Sequence, residues 1–357
     1  MIDTSTERFV ADVQANCDIA DARHAADLPL CSYLLQMREF YRWASDRPFG
    51  APLPRDAVGN WIAAREALWE PLQDQPFRRP VIDDTDFDPF DAPAINAALA
   101  PHGLLYGAGL AGARRPVFFV AALHGRGNRE GAEIVIGERE LARGLLALPA
   151  ALADEHGRPQ VVLRRDAIAR WCWQRYEAYA LRPDRAGAFG HVVAGLGLDG
   201  DLDAALPRWV DLQAELALLH EVGELRVGRR LGPAWGEMLL ALPTRRGELL
   251  ARALRDQLAD LTCTLPALLE RDEALALHAW FATYEGLREQ LFPGLEVAYR
   301  AWCSGDAGVT LREACRRGRT HFEALAAAVL ALHAQGDAAA GPAIEARLAG
   351  ADAACRP

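Results

Sequence analysis

DLQAELALLHEVGELRVGRRL (211–231), RRGELLARALRDQLADLTC (245–263) and DEALALHAWFATYEGLREQLFP (272–293) decide the fold. Each repeats apolar residues at steps of three and four, the signature of an amphipathic helix. On the first helix the apolar arc is Leu212, Leu216, Leu219, Gly223 and Val227, with His220 and Glu224 at its rim and Glu221 pointing largely away. On the second, Leu250, Leu254, Leu258, Leu261 and Leu265 form the buried stripe. Asp256, Asp260 and Cys263 stand opposite, beside Arg252. The third predicted helix, 272–290, carries His278 and Glu285 two turns apart on one face, next to Phe281. If another layer covers these faces, the carboxylates need a cation, from Arg252, Arg255 or a metal. If none does, they are solvated.

Working outward, 293–303 and 309–334 read as further helices, broken at Gly305 and Gly308, before an Ala/Gly-rich tail, 335–357. Upstream lies the one β-rich region, within 102–205: Leu104–Tyr106, Pro116–Leu123, Glu133–Ile136 and Gln160–Leu163 have strand length and composition. GRGNREG (125–131) reads as a hairpin connection, and helices are expected at 138–148 and 166–179. The N-terminal segment, 1–75, reads as three helices, 6–26, 31–43 and 56–69. The Pro- and Asp-rich stretch 76–101 reads as an acidic linker, and its aspartates lack the glycine turn and terminal glutamate of a calcium loop. The expected fold is α+β and predominantly α-helical, with a small antiparallel sheet in the middle and a helical bundle at 206–334.

Composition sets exclusions. The chain has 357 residues and a formal net charge of −10. That balance argues against general binding to nucleic acid or an anionic membrane, which needs a basic face. All 39 basic residues are arginine. A lysine Schiff base and the P-loop lysine are therefore impossible within this chain. Seven cysteines (Cys17, Cys31, Cys172, Cys263, Cys303, Cys315, Cys355) occur at scattered spacings without a CxxC pair, which argues against a disulfide framework or a cysteine-rich zinc site. No apolar run approaches the ~18 residues of a membrane span. The first residues show no basic stretch followed by an apolar core. The expected compartment is the cytoplasm.

Several motifs are set aside. Two GxGxxG matches, Gly107–Gly112 and Gly195–Gly200, do not leave a strand and open a helix, as a dinucleotide fingerprint must. None of the four serines (Ser5, Ser32, Ser45, Ser304) sits in a GxSxG elbow. Paired arginines, 114–115 among them, are dispersed between acids and read as salt-bridged surface.

Two constellations remain. Cys17, Asp21 and His24 fall on adjoining parts of one helix face, where thiolate, carboxylate and imidazole could hold zinc or iron. Val10, Val13 and Ala20 share that stripe, so a buried thiol and a core histidine explain the pattern as well. The larger constellation has Glu224, Asp256, Asp260 and His278 as candidate ligands for iron, manganese or zinc, and His220, Glu224 and His278 as candidate catalytic groups. Bundles build di-metal centres from such residues on facing helices, although the usual Glu-x-x-His repeats are missing here. The competing readings are structural ion pairs in a non-catalytic binding or assembly protein, and a metal-free pocket with His220 as base and Trp235 or Trp280 as walls.

NCDIADARHA (16–25) and CSYLLQMREFYRW (31–43) resemble the opening of an uncharacterised bacterial family, a domain of unknown function of about this length. The resemblance continues through LLYGAG (104–109), GERELARGLLALPAAL (137–152), HEVGE (220–224), RDQLADLTCTLPALL (255–269) and HAWFATYEGLREQLFP (278–293). It implies a shared fold and supplies no reaction. It points to Asn16, Cys17, Asp18, Asp21, His220, Glu221, Glu224, Arg255, Asp256, Asp260 and His278 as the positions to test.

Overall fold

The protein is described here from a computed structural model, covering residues 4–111, 115–155, 158–182, 186–336 and 339–350. Gly112, Arg114 and Cys355, singled out above, lie outside them. Two compact units are formed from interleaved segments of the chain. The first comprises Met1–Gly127, Ile134–Pro149 and Val162–Arg175; the second comprises Asn128–Glu133, Ala150–Val161 and Tyr176–Pro357.

In the first unit, the periodicity of the N-terminal segment becomes α1 (Thr4–His24), α2 (Leu30–Ala44) and α3 (Arg55–Trp69). Phe9, Val13, Cys17 and Ala20 form the inner stripe of α1 and pack on Leu104, Tyr106, Phe118 and Val120. The stretch read as an acidic linker is folded. It holds the antiparallel pair β1 (Val81–Ile82) and β2 (Thr85–Asp86), then α4 (Ala92–Leu99). Its aspartates sit in turns or at a cap, except Asp86, which lies in β2. Asp83 and Asp84 take positive φ (46° and 61°) in a two-residue hairpin turn, a conformation Asp tolerates. Asp91 caps α4 by accepting from Ala94 N at 3.1 Å. Ile82, Ile95 and Leu99 are buried in the same core as α1.

The main sheet contains β3 (Leu104–Ala111), β4 (Arg115–Arg129), β5 (Ala132–Arg143), β6 (Ala150–Glu155) and β7 (Arg158–Arg164), in the order β3-β4-β5-β7-β6. β3 and β4 are antiparallel, from Leu104↔Ala122 to Ala111↔Arg115. Gly107 lies within β3, and a Cβ there would sit 2.0 Å from the Phe119 ring. That glycine makes room for a neighbouring side chain rather than a phosphate. The helix expected at 138–148 is absent, because Glu138–Arg143 continue β5. Glu, Leu, Ala and Arg favour helix locally, but here the chain binds Glu140 and Arg143 into a buried ion-pair cluster, and tertiary pairing overrides propensity. The connection 125–131 is also tighter than expected: β4 reaches Arg129, and only Glu130 and Gly131, with φ of 54° and 79°, make the turn.

α5 (Arg165–Ala180) follows the sheet. The second unit then assembles from α6 (Ala188–Leu196), α7 (Leu202–Leu231), α8 (Pro233–Ala241) and α9 (Arg245–Ala259). A π-helical turn, Asp260–Thr264, leads into α10 (Leu265–Arg271). The remainder is α11 (Ala274–Phe281), α12 (Leu287–Leu291), α13 (Pro293–Cys303), α14 (Val309–Gln335) and α15 (Ala340–Ala349). Gly195 and Gly197 end α6, with Gly197 left-handed at φ 72°, so the second GxGxxG marks a helix exit. The third predicted helix is broken: α11 stops at Phe281, and Gly286 (φ 68°) precedes α12. Glu285 therefore lies in an exposed turn and does not share a helical face with His278. No described helix is long and apolar enough to cross a membrane.

Candidate metal centre

Close approach of α7 and α9 builds the site, and Gly223 permits it. A Cβ at 223 would lie 2.7 Å from Ala259 O and 3.0 Å from Cys263 Cβ. The face of α9 carrying Asp256 and Asp260 is therefore covered, and the covering layer is α7. Next comes the π turn, in which Leu265 N donates to Asp260 O instead of the carbonyl four residues back. Pro266 gives a local cause, since it has no N–H for Thr262 O and its ring crowds that carbonyl.

Four of the five predicted residues meet here. One ligand atom each from His220, Glu224 and Asp256 lie within 4.8 Å of one another. His220 Nδ1 is 2.8 Å from Asp260 Oδ1, and His220 Nε2 is 3.8 Å from Glu224 Oε1. Two guanidiniums brace the acids from outside: Arg255 Nη2 donates to Glu224 Oε2 at 2.7 Å, and Arg288 Nη1 to Asp260 Oδ2 at 2.9 Å. Asp260 is fully buried with both oxygens engaged, so it stands behind the imidazole as its orienting partner.

Electrostatics separate the groups. Burial alone would lower the His220 pKa, but the Asp260 carboxylate, with Glu224 and Asp256 behind it, lifts it to about 9. Burial, then hydrogen bonding to Glu224 and its charge, push Asp256 up to about 7. Glu224 is held below its ordinary range, because Arg255, Asp256 and His220 together overcome its burial. Glu221, expected to face away, is partly buried; its desolvation and the nearby Glu224 raise it to about 7, against the opposing pull of His220, Arg255 and the Leu152 amide. Carboxyl groups titrating near neutrality beside a histidine are suited to acid–base chemistry.

His278 does not join this set. Its Nδ1 is 2.7 Å from Tyr299 Oη, and its ring stacks on His191 with centroids 4.3 Å apart. Burial and His191 lower its pKa to about 4. Helical spacing pointed toward the α7–α9 seam, but α11 packs on α6, which spacing within one helix cannot reveal. Arg288 was missed for the same reason, since its pairing with Asp260 depends on the turn at Gly286.

The N-terminal constellation comes apart. Cys17 Sγ donates to Phe118 O at 3.2 Å, Asp21 Oδ2 accepts from Leu145 N at 2.8 Å, and His24 Nδ1 lies 3.3 Å from Asp27. The three residues line one small cavity, but they do not form a ligand cluster among the described residues. Burial drives the Cys17 thiol well above its ordinary value and Asp21 up to about 8. The pattern is a buried thiol and a separately paired histidine.

Residues 8–164 match the model for the N-terminal domain of a family of unknown function, DUF6866, and residues 169–351 match its C-terminal domain. The chain belongs to the DUF6866 family. No curated protein and no solved structure matches it. The two DUF6866 models meet at the start of α5, and the His220–Glu224–Asp256 group lies wholly in the C-terminal one.

Proposed function

We propose that this DUF6866 protein is a metal-dependent enzyme whose divalent ion is held by His220 Nε2, Glu224 Oε1 and an Asp256 oxygen. The observation carrying this reading is the convergence of one ligand atom from each of these residues within 4.8 Å. Asp260 fixes the imidazole through Nδ1 and turns Nε2 toward the carboxylates, the usual arrangement behind a metal-bound histidine. One nitrogen and two oxygen donors suit iron, manganese or zinc, and three protein ligands leave room for water or a substrate oxygen. A bound ion there would acidify that water or polarise that oxygen. Glu221 is the group we assign to proton transfer beside it. The acidic net charge supports a small-molecule substrate over nucleic acid, and the six described cysteines, all unpaired, support a cytoplasmic location.

The second reading is a non-catalytic binding or assembly protein in which the cluster is an ion-pair network. It is favoured by Arg255 and Arg288, which already neutralise Glu224 and Asp260. Calorimetric titration with Mn²⁺ separates the two. The metal reading expects one equivalent bound through this group, with affinity rising between pH 6 and 9 as the ion displaces protons from Asp256 and His220. Asp256→Asn should weaken that binding at least tenfold. If titration detects no binding, or if Asp256→Asn and His220→Gln leave the affinity unchanged, the ion-pair reading stands instead.

A further inference from the structure

We propose a second, sulfur-containing metal site on the C-terminal domain, formed by His191, His278 and Cys303 and selective for zinc-like divalent ions. The residues come from three helices widely separated in sequence, α6, α11 and the end of α13, yet one ligand atom from each lies within 4.8 Å of the other two. A thiolate with two imidazoles is a borderline-soft donor set, preferred by zinc over magnesium or calcium.

The surroundings suit a ligand site. The Tyr299 hydroxyl is 2.7 Å from His278 Nδ1, which fixes that ring and leaves Nε2 for a metal. Tyr299 and Cys303 are four residues apart on α13, one helical turn, so the phenol stands beside two of the three donors. Trp302 closes one side, its ring 5.1 Å from that of His278. His191 and Cys303 are exposed, so an ion can enter and a fourth position faces solvent. His191 and His278 stack nearly parallel, at 22°. A metal lies in the plane of each imidazole it binds, so coordination turns the exposed His191 ring out of the stack while Tyr299 keeps His278 in place.

This site does not depend on the α7–α9 group, which contains no sulfur ligand. Co²⁺ titration of the reduced full-length protein is the test, because only a thiolate ligand gives a sulfur-to-cobalt charge-transfer band in the near ultraviolet. The expected result is one equivalent of band-forming cobalt, displaced by Zn²⁺. Cys303→Ser abolishes the band, His191→Gln weakens cobalt binding at least tenfold, and His220→Gln leaves the band intact. Zinc should also slow iodoacetamide alkylation of Cys303 while leaving exposed Cys31 unaffected. Absence of the band in folded protein, or its persistence in Cys303→Ser, overturns the proposal; Cys303 and His191 are exposed, and circular dichroism confirms that all three variants are folded.

Discussion

Glu140 shows how much a single residue contributes to the first unit. It is fully buried and accepts from Arg164 Nε at 2.8 Å and Arg170 Nη2 at 2.7 Å. Burial raises its pKa, but Arg164, Arg170 and Arg143 overcome that and bring it to about 2. Its stabilising effect is therefore complete above the ordinary carboxylate range and is lost as pH falls toward 2. Glu140→Ala leaves buried guanidiniums without their partner, so urea unfolding should show a loss of about 3–5 kcal/mol. Asp21 has the opposite sign. Its carboxyl is held up to about 8, so the folded state keeps a proton that the unfolded chain releases near pH 4. Its contribution is greatest below pH 4 and declines as pH rises to about 8. Asp21→Asn keeps an acceptor for Leu145 N and removes the ionisation. Relative to the native protein, the variant should gain about 1–3 kcal/mol between pH 5 and 9, read from pH-dependent thermal melts.

Among the elements, the seam between α7 and α9 is the most sensitive. Gly223→Ala puts a methyl group against the Ala259 carbonyl, and backbone cannot yield as a flexible side chain can. The expected cost is about 1–3 kcal/mol by chemical denaturation, together with weaker metal binding at His220, because the two helices must separate. The apolar stripes of α7 and α9 located both helices and the four predicted residues that meet at their seam, because a 3.6-residue period records which side is buried. It does not record what covers the opposite side. Hence Asp260 could be read as solvated or paired, and Glu221 was assigned to the wrong environment. Glu285 went astray because Gly286 interrupts a run whose composition is otherwise helical. The β5 segment failed for a different reason: local propensity favoured helix, and the pairing that overrides it comes from Arg164 and Arg170, more than twenty residues downstream.

For the molecule as a whole, a ligand that binds only the folded state raises its stability by mass action. At ~100 times the dissociation constant that gain is about 2.7 kcal/mol. Manganese or zinc should therefore raise the melting temperature of the native protein, EDTA should reverse the rise, and His220→Gln should remove the manganese part of it. The π turn at Asp260–Thr264 has a consequence of another kind. It houses one residue more than a regular α-helical turn. Leu265 is bonded to Asp260 as the residue four positions on would be in a regular helix, so the extra residue is absorbed within the turn. Deleting one residue between Leu261 and Thr264 would close the turn to ordinary spacing and leave Leu265, Leu268 and Leu269 on their buried side. The same deletion in the regular part of α9 would instead rotate everything after it by roughly 100°.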